Sequence, residues 1–95
     1  MARSQKINAK RRIKFVYLGK AGQEVFLAGN FNDWSTDKKP MLDKKSNGEF
    51  VAICVLAAGD YQYKFFVDGL WMLDQKNPNF AVNEFGSHNS VLEVK

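Results

Sequence analysis

Two tryptophans stand apart from the other aromatic residues of this 95-residue chain. Trp34 is flanked by Asp33 and Ser35, with no apolar neighbour in sequence to share a core with. Trp71 follows Asp68-Gly69, a pair that signals a two-residue β-hairpin. With those two residues at the centre of the turn, Val67 faces Leu70, Phe66 faces Trp71, Phe65 faces Met72 and Lys64 faces Leu73. Strand alternation then puts Phe65, Val67, Leu70 and Met72 on one apolar face, expected to be core. Gln62, Lys64, Phe66, Trp71 and Leu73 share the opposite face, where Trp71 and Lys64 are diagonal neighbours within reach of each other. A flat ring beside a cation and an amide suits a ligand whose apolar C–H face is ringed by hydroxyls, as in a pyranose. The indole stacks on the C–H patch and its N–H donates at the rim. Lys supplies donors, and Asn both donors and an acceptor. The same residues also fit a blander arrangement, in which Trp71 covers core while Lys64 lays its stem over it. Whether Trp34 meets Trp71 is left open by these residues.

Other chemistry finds no support. Glycoside hydrolysis needs two carboxyls held across a cleft. Among Asp33, Asp60, Asp68, Asp74 and Glu84, Asp68 is explained by the hairpin and Asp60 by a turn beside Gly59. No readable motif sets a pair in an apolar pocket, and the single histidine, His88, completes no Ser/His/Asp set. No catalytic residue, no metal site and no cofactor is expected. His88 is expected to be a loop residue pointing to water.

The elements that would position the tryptophans all read as short strands. Residues 12–18 form a first strand with Ile13, Phe15 and Tyr17 on one face. A GKAG turn leads to a second at residues 24–28. Residues 29–39 are a loop in which Phe31 can fold back as an anchor. Pro40, Met41 and Leu42 suggest a short edge segment, because proline is tolerated only at edges. Asn47-Gly48 turns into a strand at residues 49–56. The most strand-like stretch is 61–67, followed by the Asp-Gly turn and a return strand over 70–73. Residues 74–89 read as one long loop, and 90–94 as the last strand. About seven short strands with regular turn signals predict an all-β sandwich.

Charge and length bound the rest. The net charge of +4 arises from Arg3, Lys6, Lys10, Arg11, Arg12 and Lys14, because residues 15–95 hold eight bases against ten acids. The expected organisation is a basic arm over residues 1–11 and one sandwich domain over 12–95. A nucleic-acid-binding domain usually carries its positive charge on the folded face, so no nucleic-acid partner is expected. The longest apolar run is far too short to span a bilayer, and no apolar segment follows the basic start as in a secretory signal. The lone Cys54, expected to be buried as a small hydrophobe, suits a reducing compartment. The cytoplasm is the expected location.

Gly29-Asn30-Phe31-Asn32-Asp33-Trp34 and the run from Gly59 to Trp71 (GDYQYKFFVDGLW) resemble the glycogen-binding module of the β subunits of AMP-activated protein kinase. They equally resemble the wider early-set group known as carbohydrate-binding module family 48. The likeness runs from about residue 12 to residue 94. It implies an immunoglobulin-like early-set sandwich that binds α-1,4-glucan without catalysis: glycogen, maltooligosaccharide or cyclodextrin. Family positions carry over unchanged to Trp34, Lys64 and Trp71. The family's loop Leu, which pokes through the coiled glucan, corresponds to Phe85, with Glu84 the alternative because the loop is one residue longer. Ser87 stands for the family's Thr, and Asn89 matches its Asn. The resemblance also implies an alternative role, a module that docks on a kinase or a glucan-processing enzyme.

Overall fold

A computed structural model describes residues 10–95. The expected arm lies largely outside the described residues, and its last two members, Lys10 and Arg11, open the first strand. Seven strands follow in order: β1 (Lys10–Leu18), β2 (Val25–Gly29), β3 (Glu49–Ala57), β4 (Gly59–Val67), β5 (Leu70–Met72), β6 (Phe80–Val82) and β7 (His88–Val94). All pairings are antiparallel. β1 and β3 form a two-stranded sheet. The other sheet runs β2-β4-β7-β6, with β5 on the β4 edge. The all-β sandwich read from the sequence is what forms.

Alternation explains how the sheets close on each other. Phe15 of β1, Phe50, Ala52 and Leu56 of β3, Val25 and Leu27 of β2, and Tyr63, Phe65 and Val67 of β4 all point inward and are buried together. Phe31 folds back onto this core, as its place in the loop suggested, with its ring 5.8 Å from Phe15 and 6.1 Å from Tyr61. Cys54 lies on the inward side of β3 but is only half-buried, and burial raises its thiol above the ordinary value.

The segment at Pro40 joins the two sheets. Leu27 N donates to Lys39 O and Met41 N to Val25 O on the β2 side. Leu42 exchanges both backbone bonds with Val51 of β3. Buried Met41 fills the space between. Pro40 has no N–H to offer and sits where none is required.

Besides Cys54, three expectations are corrected. Residues 74–89 are not one loop, because β6 pairs with β7 and β7 begins at His88 rather than Ser90. A three-residue strand draws its stability from its partner, so its own sequence announces it weakly. His88 is accordingly a strand residue, exposed, with its ring edge-on to Phe80 at 5.0 Å. Leu70, expected in the core, is 67% exposed: β5 hangs at the sheet's rim, and of its two inward residues only Met72 reaches the core.

Candidate functional site

The residues singled out from the sequence gather on the outer face of the larger sheet. Asp68 and Gly69 have φ of 48° and 83°, the left-handed pair that a tight hairpin needs. The Asp68 carboxylate also accepts from Glu24 N at 2.9 Å, tying the turn to the start of β2. This sets the register Phe65–Met72, Phe66–Trp71 and Val67–Leu70, as the sequence predicted. Phe66 is also paired with Phe26, so Phe26, Phe66 and Trp71 form an aromatic row across three strands. The Phe66 and Trp71 rings are 4.9 Å apart. Trp71 keeps 45% of its surface exposed, so it is only partly used as cover.

Trp34 comes from the other side. Gly29 is enclosed so tightly that a Cβ there would stand 2.5 Å from the Phe31 ring and 2.6 Å from Gln62 O. The Asn32 side chain clamps the turn, accepting from Gly29 N and donating to Leu27 O, both at 3.0 Å. Trp34 N donates back to Gly29 O at 2.8 Å. Asp33 and Trp34 both adopt φ of 57°, a left-handed conformation costing roughly 1 kcal/mol or more per non-glycine residue. That strain delivers the Trp34 indole to Trp71, with ring centroids 6.3 Å apart and planes 73° apart. The two tryptophans therefore build a corner, not a flat floor.

The third wall is the turn joining β6 to β7. Phe85 projects from it, 85% exposed. Ser87 Oγ accepts from Asn83 Nδ2 at 2.8 Å and from Lys64 Nζ at 3.4 Å. Asn89 is 7% exposed and donates to Gln62 Oε1 at 3.0 Å. Together these groups enclose an open hollow of about 720 Å³.

All six residues singled out from the sequence line this hollow: Trp34, Lys64, Trp71, Phe85, Ser87 and Asn89. Asn30, Gln62, Asn83 and Glu84 line it too. Gln62 was already legible, because alternation put it on the face of Lys64 and Trp71. Asn30 extends β2 alongside it and exchanges bonds with Gln62 N and O. Asn83 carried no signal, because nothing marked β6 and β7 as the two arms of one turn. Glu84, the alternative to Phe85, lies on the same wall. Among the described residues, no cluster of three metal-ligating side chains occurs, and no helix is long and apolar enough to cross a membrane.

A polar network below the hollow holds the long connection from β5 to β6. Tyr63 O–H donates to Asp74 Oδ2 at 2.6 Å, and Asn77 Nδ2 donates to Tyr63 Oη and to Val91 O. Burial first, and then the bond to Asp74, push the Tyr63 hydroxyl well above its usual value.

The class of protein is thus an all-β sandwich of two sheets, with an open aromatic corner on the outer face of the larger one. The family model described as the glycogen recognition site of AMP-activated protein kinase matches residues 11–95, and the chain belongs to that family. It is 41% identical over 92 residues to subunit beta-2 of the 5'-AMP-activated protein kinase of Rattus norvegicus, covering 97% of this chain and 32% of the relative. It is 47% identical over 74 residues to the Mus musculus beta-2 subunit, covering 78% of this chain and 26% of the relative. The Bos taurus beta-1 subunit is 46% identical over 74 residues, with the same coverage. The chain thus spans a third or less of the length of these relatives.

Proposed function

We propose that this domain is a non-catalytic binder of α-1,4-linked glucan of the glycogen and starch type, acting in the cytoplasm. The observation that carries the reading is the near-perpendicular meeting of Trp34 and Trp71 beside Lys64 and the Phe85 turn. Successive pyranose rings of a coiled chain change direction, so two ring faces set at an angle can each stack on one sugar. Lys64 and Ser87 donate to hydroxyl oxygens, and Asn89 supports the polar wall from below. Phe85 is the apolar plug around which an α-linked coil closes.

Each hydroxyl exchanges water for protein, so its net gain is only about 1 kcal/mol. A few such bonds and two stacked rings, less the ordering of a flexible chain, lead to a dissociation constant of roughly micromolar to millimolar. Glycogen offers many chain ends, so tethered copies bind it far more firmly than one domain does. Calorimetry with maltoheptaose, β-cyclodextrin and cellohexaose tests the reading. Binding to the first two and none to the extended β-linked chain is expected. Equal binding to all three, or to cellohexaose alone, overturns it.

The relatives are named as kinase subunits, which supports a second reading: the domain also docks on a kinase or a glucan-processing enzyme and brings it to the polymer. Co-sedimentation of such an enzyme with glycogen, with and without this chain, tests it; no gain on adding the chain counts against it.

A further inference from the structure

We infer that Asn83 is a positioning residue that both shapes the Phe85 turn and sets which polar groups of the hollow act as donors. The inference rests on the α-glucan reading and deepens it. Asn83 uses both ends of its amide. Its Oδ1 accepts from Phe85 N at 2.9 Å and from Ser87 N at 3.1 Å. Its Nδ2 donates to Ser87 Oγ at 2.8 Å and to Asn89 Oδ1 at 3.1 Å. The backbone adds two bonds across the same turn, Asn83 N to Ser87 O and Gly86 N to Asn83 O.

The orientation of this amide is forced. Two backbone N–H groups can be met only by an acceptor, so Oδ1 must face the turn and Nδ2 must face the sheet. The constraint then passes from side chain to side chain. Asn89 has to turn Oδ1 toward Asn83, which leaves its Nδ2 for Gln62 Oε1 at 3.0 Å. Gln62 must in turn offer Oε1 to Asn89, so its Nε2 is the end left over. Among the described residues Nε2 has no acceptor, and Gln62 lines the hollow. Ser87 is polarised in the same way. Its Oγ already accepts from Asn83 and from Lys64, so its O–H is the part free for a ligand.

The hollow therefore presents donors from Gln62, Ser87 and Lys64 to the oxygens of the sugar, and one asparagine of its wall, with both ends of its amide already bonded within the protein, sets two of the three. This makes Gln62 a further contact residue. It also explains why Asn89 can be nearly buried and still matter.

Two substitutions separate the roles. Asn83→Ala removes all four side-chain bonds. Asn83→Asp keeps the acceptor for Phe85 N and Ser87 N, so the turn survives. It offers no donor, however, so the Ser87 hydroxyl and the Asn89 amide must turn toward the new carboxylate. Gln62 then shows its oxygen to the hollow in place of its N–H group. Amide hydrogen exchange at Phe85 and Ser87 in the ligand-free protein reports the turn. Calorimetry with maltoheptaose reports the polarity. Asn83→Ala is expected to speed exchange and weaken binding about tenfold or more; Asn83→Asp is expected to keep exchange slow and still weaken binding about tenfold, the worth of one to two hydrogen bonds. Parent-like affinity in Asn83→Asp overturns the polarity relay. Parent-like exchange in Asn83→Ala overturns the clamp. If the parent protein itself fails to bind maltoheptaose, the glucan reading falls. The exchange rates, measured without sugar, then still decide the clamp, and the side-chain amide resonances of Gln62 and Asn89 in parent and Asn83→Asp still decide the relay.

Discussion

Replacing Trp71 with alanine separates the two jobs its ring performs. The side chain is 45% exposed, and its inner part lies against Phe66 at 4.9 Å and edge-on to Trp34 at 6.3 Å. An aromatic side chain of this size offers about 200 Å², so the exposed part is about 90 Å² and the covered part about 110 Å². Stacking a pyranose over the exposed part at about 25 cal/mol per Å² is worth about 2 kcal/mol, close to a thirtyfold change in dissociation constant. Losing the covered part costs at most about 3 kcal/mol of stability. The hairpin itself survives, because Asp68 and Gly69 make the turn and hold it to Glu24. Calorimetry with maltoheptaose and glycogen co-sedimentation, each beside a thermal melt, read the two effects separately. The expected variant is folded, melts somewhat lower and binds about thirtyfold more weakly. Trp71→Phe should fall between it and the parent. A folded Trp71→Ala protein that binds within threefold of the parent (about 0.7 kcal/mol or less) would show that the exposed indole face meets no sugar.

Phe85 is 85% exposed, so Phe85→Ala should leave the melting temperature unchanged while weakening β-cyclodextrin binding several-fold, and Phe85→Leu should restore most of it; unchanged cyclodextrin affinity in Phe85→Ala would remove the plug from the account. Gly29→Ala should destabilise by about 1–3 kcal/mol, because the added Cβ meets the Gln62 carbonyl as well as a ring that can move, and denaturant melts measure this directly. The Tyr63 hydroxyl is raised above its ordinary value of 10.0, so its contribution to stability is fully present below pH 10 and is lost as pH climbs beyond it. Alkaline melts of the parent should therefore fall more steeply above pH 10 than those of Tyr63→Phe. Below that pH, Tyr63→Phe should be less stable by about 1–3 kcal/mol, because it leaves Asp74 Oδ2 without its partner. Parallel alkaline decline in both proteins would refute the argument.

Much of this sheet face was legible because a hairpin turn is local chemistry. Asp-Gly needs only its own backbone to choose a left-handed pair, and two-residue turns admit one register. From that register and the period of two, Lys64, Gln62 and Trp71 had to share a face, and Phe65 and Val67 had to share the other. The inward positions of the long strands were readable for the same reason. Leu70 shows where the rule stops. Alternation assigns a side of the sheet, but burial also needs something packed on that side, and the rim of β5 has too little there. The strand β6 was missed because Phe-Ala-Val between Asn79 and Asn83 has little identity until β7 lies beside it.

Local signals in the sequence are enough to say that this chain folds into short strands, and that Lys64 and Trp71 share one face of the hairpin that joins β4 to β5. These follow from interactions between residues a few positions apart. The shape of the hollow, by contrast, is a property of the folded chain. Trp34 and Trp71 are 37 residues apart in sequence. Their meeting depends on a strained turn at Asp33 and Trp34, held by Asn32 and by the backbone of β2. The Phe85 turn, 14 residues beyond Trp71, closes the hollow only because β6 and β7 pair and Asn83 clasps the residues between them. The angle between two rings and the direction of one amide are set by long-range packing and by hydrogen-bond satisfaction across three loops, and neither leaves a periodic trace in the order of the residues.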